Sequence, residues 1–432
     1  MVTRYGRSAA LAAWLLAVAV GAPPPARAAG FALFEQGARG MGFAGAFTAQ
    51  ASDPSAIFHN AAGIAFLRGK QLYLGGTVVA PSSTFEGANP FPGAAVTERT
   101  DAGLLLPPSV YYTHQLAPDL VAGIGVNVPF GLRSRWANPE TYSGRFILQS
   151  AELTGFSINP TLAFKLADRL AVGAGLDVRL SSVTLERRVP LVSPFTQRVV
   201  DAADLRLESG TATGIGFNVG LLGKLSDSTS VGVAYRHKVK VEYDGSATFS
   251  ARPTGNAQLD AVIAAGLPAG AQAVTTAVTF PALVSAGLAQ RFGPWTFEVD
   301  VNWYQWSSFD RLPITFVDRP DLSEVIVEEY GDAFQYRFGL ERELTEAWAV
   351  RGGYFWDETP SPPASMSPLL PDSNRHGIAL GGSWASGRLR LDAGSWLVLS
   401  SKRSTAGLNR DRYEGTYKGR AFTLGVSLGY VF

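Results

Sequence analysis

The chain has 432 residues, with 37 Lys plus Arg against 36 Asp plus Glu, a formal net charge of +1, and no cysteine. That balance excludes the basic excess of a nucleic-acid binder, and the missing cysteine excludes disulfides, thiolate nucleophiles and cysteine-ligated metals. Charged residues make up only 17% and apolar residues 46%, so extensive disorder is excluded as well.

Arg4 and Arg7 precede an apolar run from Ala9 to Val20, which ends at Ala22-Pro23-Pro24-Pro25-Ala26-Arg27-Ala28. A basic start, a short apolar core and an Ala-x-Ala ending predict a secretory signal peptide over residues 1–28, cleaved after Ala28. Losing Arg4, Arg7 and Arg27 leaves the mature chain slightly acidic. No later stretch holds 18 consecutive apolar residues, so helical membrane spans are not expected. A soluble exported protein and an outer-membrane barrel remain.

Residues 29–68 do not alternate. They are rich in small residues, among them Gly37, Gly40, Gly42, Ala44, Gly45 and Ala46. Residues 69–432 do alternate. Leu170, Val172, Ala174 and Leu176 face away from Asp177 and Arg179. Val231, Val233, Tyr235, Val239, Val241 and Tyr243 share a face opposite Arg236, Lys238, Lys240 and Glu242. Trp295, Phe297, Val299 and Val301 oppose Glu298, Asp300 and Asn302, and Tyr336, Phe338 and Leu340 oppose Gln335, Arg337 and Glu341. The final run sets Phe422, Leu424, Val426, Leu428 and Tyr430 against Thr423, Gly425, Ser427 and Gly429. A dyad period with one greasy face is the pattern of a transmembrane β-strand.

Connections alternate in length. Six are tight, at Ala117-Pro118-Asp119, Ala167-Asp168-Arg169, Ser226-Asp227-Ser228, Gly293-Pro294, Leu344-Thr345-Glu346 and Ala385-Ser386-Gly387. Between them lie longer ones: 86–99, 133–150, 188–204, 250–273, 318–323, 358–374 and 404–414. Short turns on one side and long loops on the other describe an outer-membrane barrel. Six turns and seven loops join 14 strands, or about 26 residues per strand and connection, enough for membrane strands of ~9–11 residues. The expected fold is therefore all-β: a transmembrane antiparallel barrel of about 14 strands. A wall of that size encloses more room than its side chains fill, so residues 29–68 are expected inside it as an N-terminal hatch.

Other patterns have plain readings. Gly40-Met41-Gly42-Phe43-Ala44-Gly45 matches a dinucleotide fingerprint but lacks the flanking strand and helix. Gly425-Val426-Ser427-Leu428-Gly429 matches a hydrolase elbow but ends in three residues rather than a helix. The four histidines, His59, His114, His237 and His376, show no metal-ligand spacing. Leu259, Val262, Ile263 and Leu267 recur at helical spacing, either as a short helix packed on the barrel rim or as an apolar capture surface. Val128-Pro129-Phe130-Gly131 interrupts a strand from Leu120; Pro removes a ladder donor, so it marks a strand end or a kink that opens the wall.

Several blocks resemble the FadL-type family of outer-membrane transporters for long-chain fatty acids and other hydrophobic compounds. They are Ala29-Gly30-Phe31; Gly40 to Ala46; Phe58-His59-Asn60-Ala61-Ala62-Gly63-Ile64, with Ala61 where the family carries Pro; Gly125 to Leu132; Ser157 to Ala163; Trp303-Tyr304-Gln305-Trp306-Ser307-Ser308-Phe309; and Leu370-Pro371-Asp372-Ser373-Asn374-Arg375. The resemblance implies a 14-stranded barrel with a hatch that includes Gly40, Gly42, Asn60, Ala61 and Ala62. It implies passive uptake of a long-chain fatty acid or aromatic hydrocarbon, captured at outer loops, held in an interior pocket and released sideways at a kinked third strand. Carried onto this chain, Pro129, Phe130 and Gly131 form the lateral gate, Phe31 starts the hatch, and Leu259, Val262 and Ile263 lie in the capture loop. Arg236, Lys238 and Arg337 are candidate partners for a carboxylate head group, or ordinary lumen charges balanced by Glu242 and Glu341. The expected protein is a monomer in the outer membrane of a Gram-negative bacterium, in contact with its lipid. It uses no cofactor and performs no chemical step. A hydrophilic diffusion pore and an outer-membrane lipid hydrolase are the alternatives.

Overall fold

The computed structural model describes residues 30–432; the predicted signal peptide lies outside them. Fourteen antiparallel strands close a ring: β1 (Lys70–Gly87), β2 (Pro108–Ala117), β3 in two segments (Leu120–Asn127 and Leu132–Arg135), β4 (Ser150–Ala167), β5 (Leu170–Val192), β6 (Ala212–Lys224), β7 (Thr229–Arg236), β8 (Leu283–Phe292), β9 (Trp295–Tyr304), β10 (Ala333–Glu343), β11 (Trp348–Asp357), β12 (Arg375–Ser386), β13 (Leu389–Ser400) and β14 (Gly415–Val431). The first and last strands pair from Gln71 opposite Val431 to Gly87 opposite Gly415, so the ring has no free edge there. Among the described residues no helix is long and apolar enough to cross a membrane.

The period-2 pattern sorts side chains as a barrel in lipid requires. Phe422, Leu424, Val426 and Leu428 point out and are 43–50% exposed, while Thr423 and Ser427 point in and are buried. Glu298, Asp300 and Asn302 are fully buried inside the ring, and Trp295 and Phe297 lie outside it. Apolar atoms thus face hydrocarbon and polar ones face the lumen. All six tight turns join neighbouring strands at one end.

At the other end the same sheet rises beyond the ring as an outer extension. Of the loops expected there, 188–204 is largely strand, whereas 250–273 carries a helix, Ala257–Gly266, between two strand ends. Val199–Ser209 pairs with the upper part of β5 and with Val239–Ala251. The latter pairs with Gln272–Phe280, which in turn pairs with Arg311–Phe316. Passing from the ring into this extension costs the alternation one residue. Arg236 and Val239 both point inward although they are three apart. Val239, Val241 and Tyr243 are therefore buried rather than sharing the outer face of Val231 and Val233.

Residues 30–67 run inside the ring. They include α1 (Ala38–Gly42), α2 (Ala56–His59) and a 3-10 helix (Ala61–Phe66). Small side chains let this segment approach the wall on several sides. A Cβ at Gly220 of β6 would lie 2.1 Å from Asn60 Oδ1.

Candidate functional site

The middle of the leading segment is tied to the wall through its backbone. Asp300 accepts the N–H groups of Phe47 and Thr48 at 2.9 Å, and Glu298 accepts that of Ala49 at 2.7 Å. Ser230 donates to Ala49 O at 2.8 Å, Arg337 to Ala44 O at 2.7 Å, and the Trp396 indole to Met41 O at 2.6 Å. Buried backbone groups must be paired, and lumen side chains do the pairing here. Asn60 holds the next turn. Its amide donates to Thr48 O and Leu221 O, and its Oδ1 caps the 3-10 helix at Ala62 N. Ala61 occupies the first helical position, where the family's Pro would be pre-set. The cap forms without it. Gly40 packs against His59, and Gly42 against Arg351 and Gly381.

The start of the segment meets the wall differently. In β3, Asn127 pairs with Ser157 of β4, and pairing resumes at Leu132 with Leu153. Val128 to Gly131 thus oppose only three residues and leave the ladder. Residues 31–36 take up the freed groups: Leu33 N–H donates to Pro129 O at 2.9 Å, Gly131 N–H to Phe31 O at 3.1 Å, and the Gln36 amide to Val128 O at 2.7 Å. The leading segment is a short added strand across the interruption.

Phe31 is 5% exposed and sits in an aromatic cage. Its ring centroid is 4.8 Å from Trp306, 5.3 Å from Phe309, 6.0 Å from Phe130 and 6.2 Å from Phe280, all edge-to-face. Above Phe130 and Phe280, at 4.8 and 4.6 Å, lies the Arg179 guanidinium of β5. Arg179 is buried and bonds Asp177 at 3.0 Å, but its Nε and Nη1 have no hydrogen-bond partner. Arg236 shares Asp177 at 2.9 Å. Two arginines on one carboxylate leave the cluster net positive. With Phe31 in place, the void bordered by Arg179, Phe130 and Phe280 is about 10 Å³, the room of one water.

A larger cavity of about 200 Å³ adjoins the start of the segment. Gly30, Phe31, Leu33 and Glu35 line it together with Gly131 and Leu132 at the interruption, Leu105 beside Val79 of β1, and Asp372 and Arg375. Burial raises the Glu35 and Asp372 carboxyls above their ordinary range, offset in part by Arg375.

The sequence-derived candidates fall into separate groups. Phe31, Pro129, Phe130 and Gly131 come together. Arg236 is near them through Asp177. Arg337 is fully buried but spent on Ala44 O, Gln335 and Asp357, and Glu341 pairs with Arg39 and Arg351 instead. Lys238 is not a lumen cation. It is exposed on the outer side, because the lost residue of alternation after Arg236 turns it away, and Glu242 pairs with Lys240. Leu259 and Ile263 of α3 (Ala257–Gly266) are buried against Ala202 of the chain's own rim, and only Val262 is open, at 59%. Arg179, Phe280, Trp306 and Phe309 were not singled out from the sequence. The alternation did place Arg179 inward, and Trp306 and Phe309 lie in the tryptophan-rich block.

Comparisons with known proteins agree over nearly the whole chain. The family model "Outer membrane protein transport protein (OMPP1/FadL/TodX)" matches residues 19–432. A "Long-chain fatty acid transport protein" of Salmonella typhi is 23% identical over 423 residues, covering 94% of each chain. The solved structure of a Pseudomonas aeruginosa FadL homologue superposes with a TM-score of 0.81 at 21% identity, over 94% of this chain and 100% of that one. The Ralstonia pickettii toluene transporter TbuX does so with a TM-score of 0.69 at 18% identity, over 93% and 100%. The chain belongs to the OMPP1/FadL/TodX family of outer-membrane transport proteins of Gram-negative bacteria, and it is a transporter rather than an enzyme.

Proposed function

We propose that this protein carries hydrophobic acids of the long-chain fatty acid class passively across the outer membrane. The observation that carries the reading is the Phe31 cage with Arg179 at its lip, set against the interruption in β3. A guest in that cage gains about 0.8 kcal/mol per buried CH₂. Its carboxylate meets the two unpartnered donors of Arg179 as a charge-assisted pair. Since Phe31 fills the cage, the guest enters as residues 30–33 leave. Their departure also unpairs Val128 to Gly131 and opens the wall to hydrocarbon. An apolar molecule then leaves sideways without crossing water. The outer sheet and its loops supply the capture surface, with Val262 an exposed apolar side chain on α3. The chain acts as a monomer, since the ring closes on itself.

One observation favours a second reading. The cage holds a benzyl side chain, which is toluene in all but its attachment, so a monoaromatic hydrocarbon fits it as well. Uptake by proteoliposomes separates the two. Oleate should enter faster than in protein-free controls, and Arg179→Gln should slow oleate while leaving toluene unchanged. Transport of toluene alone would favour the second reading, and equal oleate and toluene fluxes with and without protein would refute both. A diffusion pore would instead pass a large ion current in planar bilayers.

A further inference from the structure

The outward face of β14 changes chemistry near its outer rim. Leu428, Val426, Leu424 and Phe422 face hydrocarbon, and the next residues on that face are Arg420 and Lys418, both exposed. Pairing carries the change to the neighbouring strands. Arg420 stands opposite Ser82 of β1 on one side and Leu399 of β13 on the other. Lys418 stands opposite Thr84, and Thr84 stands opposite Arg99 of the short strand Thr97–Arg99. Arg99 is exposed on the outer face, whereas Glu98 beside it bonds Ser143 and Tyr413 on the inner one. Strands lie ~4.8 Å apart, so Arg99 and Lys418 flank the small Thr84 at ~10 Å from each other.

Among the described residues none of these three cations makes an ion pair. Glu86 is the acid of this register, one outward row higher, opposite Thr97 and Thr416. Asp101 and Arg135 face each other on the next pair of chains, where Asp101 N–H donates to Arg135 O at 2.7 Å. The patch is therefore net positive. Exposed cations elsewhere on the outer extension are matched: Arg206 pairs with Glu186 and Glu208, Lys240 with Glu242, and Arg319 with Asp321. Directly beneath the patch lies bare apolar surface. Leu104 and Leu106, beside β1, are 61% and 68% exposed, and Phe422, Leu397 and Leu399 are 45–50% exposed. Long cationic side chains set above such a surface lay their stems on it and present their heads at the polar boundary, where anionic lipid head groups lie.

We propose that Arg99, Lys418 and Arg420 form a binding site for a bisphosphorylated glycolipid of the outer leaflet. Its phosphates meet the three cations as charge-assisted pairs, and its acyl chains lie on Phe422, Leu399, Leu104 and Leu106. Two observations choose this lipid. The long loops mark this rim as the outer one, and the cations span two strand spacings, more than a single phosphate covers. The site lies outside the ring and is independent of the cargo.

The test titrates purified protein in detergent with bisphosphorylated lipid A and counts bound lipid by native mass spectrometry. The parent should retain one lipid A. Lys418→Gln should weaken binding by about tenfold, the worth of one charge-assisted bond, and the triple variant Arg99→Gln, Lys418→Gln and Arg420→Gln by about a hundredfold or more. Lipid A stripped of its phosphates should bind the parent as weakly as intact lipid A binds the triple variant. A control triple, Arg169→Gln, Arg291→Gln and Arg319→Gln, removes the same charge from exposed positions elsewhere and should bind like the parent. Samples are compared only where the unheated protein still migrates as a folded barrel, and Lys418→Gln alone decides if the triple variant fails that check. Parent-like binding by the folded site variants, or by dephosphorylated lipid, overturns the site. An equal loss in the control triple overturns it too, by reducing the effect to overall charge. Phosphatidylglycerol binding as tightly as lipid A overturns the choice of a glycolipid.

Discussion

Replacing Phe31 by Ala tests the idea that the leading segment occupies its own binding site. In the structure the Phe31 ring is buried in four edge-to-face contacts. Burying a Phe side chain contributes roughly 1.5–3 kcal/mol, and each favourable aromatic pair adds about 0.5–1.5 kcal/mol beyond its area. Taking only about 2 kcal/mol as the loss, the closed arrangement becomes some ~30-fold less favoured. A guest that needs the segment to leave then binds more tightly, because its apparent dissociation constant is divided by the competent fraction. The assay is an equilibrium titration of purified protein in detergent with a fluorescent long-chain acid. Phe31→Ala should bind it about tenfold or more tightly than the parent. If Phe31 were instead a contact that the guest itself needs, the same substitution would weaken binding. A weaker or unchanged affinity would therefore refute the self-occupancy argument.

Further outcomes follow from the same geometry. Arg179→Gln should raise the half-saturation for oleate by about tenfold, the worth of a charge-assisted hydrogen bond, with little change for oleyl alcohol; equal effects on acid and alcohol would remove the head-group role. Ala61→Pro should be tolerated, with thermal stability unchanged or slightly raised, because the first helical position needs no N–H donor; a clear loss of the heat-stable barrel would show that this turn differs from the family's. Leu259→Asp should unfold α3 as seen by proteolysis, whereas Val262→Asp should leave it intact and lower the rate of capture from dilute oleate. Burial lowers the His59 pKa to about 4, outweighing its bond to Gln36 O. His59 is thus neutral in the folded segment while an unfolded histidine takes up a proton near its ordinary value of ~6.5. Stability should accordingly be full above that value and fall by up to ~3 kcal/mol as pH drops from 6.5 to 4. A His59→Gln variant should lose that slope in denaturant melts, and a parent curve flat across the window would contradict the assignment.

Much of the architecture was legible in the residues. Period-2 patterning depends only on neighbours along one strand, so the apolar faces of Leu170 to Leu176, Trp295 to Val301 and Phe422 to Leu428 could be read directly, and closure of the ring turned them outward. The tight turns follow from local Pro, Gly, Asp and Ser chemistry, and counting them yields the strand number. The region around Val128 to Gly131 announced itself because Pro129 cannot donate to a ladder. What remained hidden depends on contacts between distant parts of the chain. The one-residue loss of alternation at His237 and Lys238 arises where the strand changes partners, and it sends Lys238 outward and Val239 inward. The fate of each lumen charge depends on what it meets: Arg337 is spent on a backbone carbonyl, while Arg179 keeps two donors free. The seat of Phe31 among Phe130, Phe280, Trp306 and Phe309, and the hydrogen bond from Arg375 to Gly30 O, join segments far apart in the chain. Alternation within a strand says which way a side chain points, and only closure of the ring decides what stands opposite it.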